Sequence, residues 1–206
     1  MMIAYLIGAL LFGFAAWLAF GVWRIGAVSS GEEIGDRSGA ALLLIDLQTV
    51  FWDHGPYDEA TKAAAHEVIL SEVKSAKDKG VPVIAVRQEW SIPSTQMIAR
   101  LTMKGQAIAG SAGTELVEPF ANLADHILVK RVQDAFETVE LNCLLSKLNV
   151  ASLRVVGLDM NYCVLKTSLA ARNRGYDVTL VKAGTLASQP TERAEQLLVE
   201  SGAAIT

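Results

Sequence analysis

Short, unbroken apolar runs separated by amphipathic stretches recur through residues 40–206. Residues 41–45 are wholly apolar, the pattern of a strand buried on both faces. Runs at 83–86, 126–129, 153–156 and 178–181 predict four more strands, and 203–205 a sixth at the sheet edge. Helical patterns fall between them. Residues 59–79 predict a helix closed by Gly80, and Leu141, Leu144, Leu145 and Leu148 recur at helical spacing. Residues 164–174 predict a helix ended by Gly175, a common left-handed terminator, and 191–201 predict another. This alternation predicts a three-layer α/β/α architecture, doubly wound around a mainly parallel sheet. Residues 89–113, with Pro93, Gly105, Gly110 and Gly113, fit neither period and read as a long excursion over the functional edge.

The N-terminal pattern is of another kind. Residues 1–23 carry no charged side chain, and the first is Arg24. About 20 apolar residues match the hydrocarbon thickness of a bilayer. Gly8, Gly13 and Gly21 are at home in membrane helices, and Trp17 and Trp23 suit an interface. Residues 1–24 are therefore read as a transmembrane anchor, 25–39 as a polar linker and 40–206 as the globular domain. The alternative is a cleaved signal peptide and export, for which Ala27 and Ser29 are small enough; the segment lacks the basic start and short apolar core of such a leader. Arg24 and Arg37 follow the span and no Lys or Arg precedes it, so the positive-inside bias puts the domain in the cytoplasm as a single-pass membrane protein.

Composition narrows the function. Of 206 residues 51% are hydrophobic and 19% charged, which excludes a disordered chain. A net charge of −4 without a basic block argues against nucleic acid as a partner. Two cysteines, Cys143 and Cys163, and three scattered histidines give neither a disulfide scaffold nor zinc spacing.

Ligands of an open parallel sheet bind beyond the carboxyl ends of its strands. Asp46 follows the first strand, Lys130 the third, and Gly157-Leu-Asp-Met-Asn-Tyr-Cys163 the fourth. An acid, an amine and a thiol thus converge on one edge. At a helix start, free N–H groups favour a thiolate at Cys163 and could hold an oxyanion. Burial raises the affinity of Asp46 for a proton, which suits it to act as the base, with Lys130 balancing charge. Taken singly, each residue is as much at home in a core or a turn; together they form an activated-nucleophile pattern.

Four motifs in order resemble the isochorismatase-like cysteine hydrolases, relatives of nicotinamidases and N-carbamoylsarcosine amidases. They are Leu-Leu-Ile-Asp46-Leu-Gln48-Thr-Val-Phe51, Gly110-Ser-Ala-Gly113-Thr-Glu-Leu, Lys130-Arg-Val-Gln-Asp-Ala135-Phe136-Glu-Thr138, and Gly157 to Val164 with Arg174-Gly175-Tyr176 following. The resemblance covers residue 40 to the C-terminus. It implies Asp46, Lys130 and Cys163 as base, cation and nucleophile, an oxyanion hole from the backbone of Met160 and Cys163, and a non-proline cis peptide near Asp159–Met160. It also implies a homo-oligomer. Gln48, Phe51, Trp52, Trp90, Phe136, Asn161 and Tyr162 are the expected pocket residues, for a small, partly apolar substrate.

Departures shape the expectation. Met160 stands where the family often has Thr, and Asp134 where it often has Ser. Nicotinamidases carry an Asp-x-His metal site after the second strand; here the residues are Arg87-Gln88-Glu89-Trp90, so no metal and no cofactor is expected. A retained cysteine favours hydrolysis of a C–N bond in a small amide or carbamoyl compound through an acyl-thioester. Vinyl-ether hydrolysis of the isochorismatase type, or a non-catalytic membrane-anchored binding protein with a vestigial triad, are the alternatives.

Overall fold

The computed structural model describes residues 1–206, side chains included except that of Ala4. Six strands form one sheet: β1 (Gly39–Ile45), β2 (Val83–Gln88), β3 (His126–Lys130), β4 (Val150–Gly157), β5 (Asp177–Thr185) and β6 (Ala204–Ile205). Their order is β3-β2-β1-β4-β5-β6 and every pairing is parallel. The chain winds one way from β1 and then the other from β4, so the expected doubly wound sheet is present, and it is entirely parallel. The switch point lies between β1 and β4, where an open sheet leaves a crevice at the strands' carboxyl ends.

Alternation along β1 divides the core. Ala41, Leu43 and Ile45 point to one face, covered by α5 (Val139–Lys147), α6 (Leu165–Arg172) and α7 (Glu192–Glu200). Leu42 and Leu44 point to the other, covered by α3 (Glu59–Asp78) through Ala65, Ile69 and Val73. Because both faces are covered, the run needs no polar residue. The N-terminus of α3 is set by Asp58, whose carboxylate accepts the Thr61 N–H at 2.9 Å.

Three segments differ from the sequence reading. The helix expected at 164–174 is preceded by a π-helical turn at Met160–Val164, and α6 proper starts at Leu165. A four-residue helical turn, α2 (Thr49–Trp52), follows β1. The excursion at 89–113 contains a helix, α4 (Pro93–Thr102). The buried residues of α4 are Ser94, Thr95, Ile98 and Ala99, too small and polar to give an apolar stripe in sequence.

The N-terminal segment forms α1 (Met2–Gly26), of which Tyr5–Gly26 is long and apolar enough to cross a membrane, with mean hydropathy 2.0. At 1.5 Å per residue those 22 residues extend about 33 Å. Most of α1 is exposed, but its last turns are built into the domain. Gly21 lies so close to α4 that an added Cβ would meet Ile98 Cδ1 and Ser94 Cβ at 2.8 Å. Ile25 is buried in an apolar cluster with Val50, Trp90, Ile98, Ala99 and Ala107, and its carbonyl accepts the Gln133 N–H at 3.1 Å. Arg24 pairs with Glu137 at 2.9 Å.

The segment between α1 and β1 also lies against the domain. Arg174, buried, donates to the Ser29 carbonyl, the Ser29 hydroxyl and the Ser30 carbonyl at 3.0–3.2 Å. Its guanidinium stacks on Phe136, 4.9 Å from the ring centre. Asp134, in place of the family's Ser, accepts the Ser29 N–H at 2.8 Å and the Phe136 N–H at 2.7 Å. Asp134 thus holds the segment that follows α1, away from the crevice.

Candidate active site

At the end of β1 the chain turns through Asp46, in the left-handed region at φ 54°, with its N–H donated to the Val86 carbonyl at 2.9 Å. That turn aims the carboxylate inward. Lys130, the last residue of β3, places Nζ 2.9 Å from Asp46 Oδ2; both side chains are at most 2% exposed. The same ammonium donates to Cys163 Sγ at 3.2 Å and to Gln88 Oε1 at 2.5 Å. Asp46 Oδ1 is buried with no hydrogen bond among the described residues. The three residues selected from sequence therefore meet around the Lys130 ammonium, and one carboxylate oxygen of Asp46 has no hydrogen bond among the described residues.

The crossing from β4 to the thiol depends on Gly157. Its φ is +126°, and an added Cβ would lie 2.1 Å from the Ile45 carbonyl oxygen, so β1 and β4 approach closely only with glycine here. The next peptide, Leu158–Asp159, is the non-proline cis bond, one bond earlier than expected.

Protonation follows from burial. Burial, and then the adjacent Asp46 carboxylate, push the Cys163 thiol well above its ordinary value; Lys130 offsets part of this. The expectation of a thiolate stabilised by a helix start is thereby reversed, because desolvation outweighs the field of one π-helical turn. Burial also raises Asp46, with Lys130 pulling the other way. For Lys130, burial alone would lower the value, but Asp46 and Cys163 hold it above that of an ordinary lysine. Asp46 and Cys163 thus both hold a proton more tightly than they would in water, while Lys130 is kept in its charged form by its two neighbours.

A cleft of about 390 Å³ opens above these groups. Phe51, Trp90 and Tyr162 line it, as expected, joined by Tyr57, Met103, Leu158 and Asp159. Four other expected pocket residues lie elsewhere. Gln48 is fully buried; its amide donates to the carbonyls of Gln88 and Thr114 and accepts the Gln88 N–H, clamping β1 to β2. Trp52 packs edge-on against Phe120 in the core, with ring centres 4.8 Å apart. Phe136 lies against Tyr176 and Arg174 on the far face. Asn161 donates to the Gln189 carbonyl at 3.1 Å. A depression of similar size at the amino ends of the strands, lined by Glu72, Lys79 and Arg154, is remote from the thiol.

The backbone of the loop that leads to Cys163 also departs from expectation. The Met160 N–H donates to the Leu186 carbonyl at 2.9 Å, so it is committed within the protein. The Asp159 N–H, at the cis peptide, has no such partner among the described residues. The Asp159 carboxylate accepts from the Asn161 N–H at 2.8 Å, the Ser188 N–H at 2.7 Å and the Tyr57 hydroxyl at 3.2 Å.

Sequence reasoning missed Gln88. Lysine can only donate, so the oxygen of the Gln88 amide must face Lys130. Its Nε2 is then fixed on the other side, buried and without an acceptor, in a residue that lines the cleft. Trp90 Nε1, on another residue of the cleft lining, is also a buried donor without a partner among the described residues. The signal was available in part: Gln88 sits at the carboxyl end of β2, between Asp46 and Lys130 in the sheet order.

Residues 87–90 do not fit a divalent cation. Gln88 is committed to Lys130, Glu89 pairs with Arg87 at 3.3 Å, and Trp90 offers no ligand atom. Among the described residues no three His, Cys, Asp or Glu side chains cluster as metal ligands.

The architecture is that of the three-layer α/β proteins whose ligands bind at a sheet switch point. Residues 40–202 match the model of the isochorismatase domain, and the chain belongs to the isochorismatase family. An uncharacterized isochorismatase family protein of Bacillus subtilis (strain 168), YaaI, is 27% identical over 150 residues, 71% of this chain and 80% of its own. The N-carbamoylsarcosine amidase of Thermoplasma acidophilum superposes with a TM-score of 0.70 at 20% identity, over 82% of this chain and 96% of its own. The pyrazinamidase of Pyrococcus horikoshii, solved in complex with zinc, gives 0.68 at 23% identity, over 82% and 99%. These two likenesses establish the fold.

Proposed function

We propose that this chain is a cysteine hydrolase that cleaves a C–N bond of a small amide or carbamoyl compound, tethered to a membrane by α1. Membership of the family implies hydrolase activity. The observation that carries the cysteine mechanism is the contact of Cys163 Sγ with Lys130 Nζ at 3.2 Å, beside a carboxylate with one oxygen unengaged.

With the thiol neutral at rest, its proton leaves as the attack proceeds. Sγ bonds to the substrate carbonyl carbon while Asp46 Oδ1 takes the proton. Lys130 keeps its charge throughout and offsets the negative charge as it passes from the Asp46 carboxylate to the developing oxyanion. The carbonyl oxygen becomes an oxyanion, for which the N–H groups of Asp159 and Cys163 are the candidates in place of Met160. Collapse of the tetrahedral species breaks the C–N bond, and Asp46 returns the proton to the departing nitrogen. Water, losing a proton to Asp46, then cleaves the thioester and frees the acid and the thiol. Gln88 Nε2 and Trp90 Nε1 supply donors for an acceptor on the substrate, which favours a carbonyl-rich head group.

For the anchor, the 22-residue apolar span and the Arg24–Glu137 pair at its inner end support a single-pass helix with the domain on the arginine side, the cytoplasm. A homo-oligomer is retained as the assembly; exposed Ile127 and Val129 on the outer strand β3 are the surface it would cover.

The test is a screen of small amides and carbamoyl compounds with intact-mass detection of the protein. An acyl adduct confined to Cys163, and loss of turnover in Cys163→Ala, are the expected results. Turnover that survives Cys163→Ala would refute the covalent route and favour vinyl-ether chemistry.

A further inference from the structure

The membrane span and the cleft share one helix. Gly21 of α1 touches Ser94 and Ile98 of α4, and Thr102, one turn beyond Ile98, lines the cleft together with Met103. One turn of α-helix is about 5.4 Å. The mouth of the cleft therefore stands within roughly two helical turns of the last residues of the span. The outward face of α4 is also unusual for a water-facing helix. Leu101 is 67% exposed beside a half-buried Met97, and the exposed cations Arg100 and Lys104 flank them. Apolar side chains bordered by lysine and arginine, next to a membrane helix, suit the headgroup region of an anionic leaflet. Inside, the cleft is divided. Its floor is polar, with Asp46, Gln88 and Cys163, while Phe51, Trp90, Met103 and Leu158 supply apolar wall between polar lining residues such as Gln106 and Ser188.

We propose that the substrate is an amphiphile drawn from the lipid–water interface: an amide or carbamoyl head that reaches Cys163, carried on an apolar tail that lies along α4. This rests on the hydrolase reading above and adds the class of substrate and its route of entry. Gly21 holds the span against α4, so the cleft mouth is kept at the bilayer surface, where such compounds are concentrated.

The first experiment uses the full chain in phosphatidylcholine–phosphatidylglycerol vesicles with primary amides from propanamide to dodecanamide, following ammonia release. Specificity, as kcat/KM, should rise roughly threefold per added methylene until the cleft is filled, in line with the transfer of each CH₂ out of water. Leu101→Glu, outside the cleft, should lower turnover of dodecanamide at least fivefold and leave propanamide unchanged. A flat or falling dependence on length, or equal effects of Leu101→Glu on both amides, would overturn the proposal.

A second experiment needs no turnover. Cys163 is alkylated in the same vesicles with iodoacetamide or its N-dodecyl derivative, with exposed Cys143 as internal reference. The dodecyl reagent should favour Cys163 over Cys143 at least tenfold relative to iodoacetamide; equal ratios at the two thiols would overturn the proposal. Tail-dependent labelling with no ammonia from any amide would instead sink the hydrolase reading while supporting interfacial access.

Discussion

Lys130→Met removes the ammonium from a pair whose side chains are at most 2% exposed and keeps roughly the length of the side chain. At 2.9 Å, an effective dielectric of about 20 gives an attraction of about 6 kcal/mol. The measured loss should be smaller, because Asp46 can escape by taking a proton. Protonating a carboxyl with an ordinary value of 3.8 costs about 1.4 kcal/mol for each pH unit above it, or about 4 kcal/mol at pH 7. The expected destabilisation at pH 7 is therefore about 3–4 kcal/mol, within the range for breaking a buried pair. The sign with pH follows. In the variant Asp46 holds its proton more tightly folded than unfolded, so stability is greatest below 3.8 and is lost as pH rises toward the folded value. Denaturation of the full chain in detergent micelles, followed by tryptophan fluorescence, would measure this for wild type, Lys130→Met, Asp46→Asn and the double variant. The double variant should regain most of the loss, since no lone charge remains buried. A loss that is equal at pH 4.5 and pH 7, or a double variant no more stable than Lys130→Met, would refute the reasoning.

Three further outcomes are expected. The acid limb of kcat/KM should lie above 3.8, because Asp46 must be unprotonated to act and burial raises it; activity is lost as pH falls through that value, and a limb at or below 3.8 would contradict the assignment. Gln88→Leu leaves the Lys130 ammonium with one acceptor fewer and removes the free donor Nε2; kcat/KM should drop by roughly 10²-fold, as on loss of one hydrogen bond to a charged or reacting group, and a drop of less than threefold in steady-state assays would remove Gln88 from the site. Gly157→Ala forces a Cβ to within 2.1 Å of the Ile45 carbonyl oxygen at φ +126°, so it should cost several kcal/mol of stability, enough to abolish soluble expression of the fold; a variant that melts within 2 °C of wild type would contradict the close approach.

The sheet was legible because strands buried on both faces leave unbroken apolar runs, as at 41–45. Asp46, Lys130 and Cys163 were legible because a parallel sheet delivers whatever follows its strands to one edge. Other features depend on contacts between distant segments. The buried face of α4 is Ser94, Thr95, Ile98 and Ala99, of which Ser94 and Ile98 lie against Gly21 of α1. Gln88 gains its role from Lys130, 42 residues away. Trp52 and Phe136 are near functional motifs in sequence, yet their rings fill the core on opposite faces of the sheet. The thiolate expectation failed for a related reason: a helix end is visible in sequence, while the extent of burial around Cys163 is set by the whole fold.

The seat of Ile25 among Trp90, Ile98 and Ala107 bears on how the protein can be handled. A chain shortened to begin at residue 28, the obvious way to obtain a water-soluble sample, would forfeit about 1.5–3 kcal/mol of apolar burial from that side chain alone. It would also bare the flank of the indole that lines the cleft. Measurements on such a fragment would describe a loosened cleft, so the full chain, with its apolar helix kept in detergent or a nanodisc, is the better starting material.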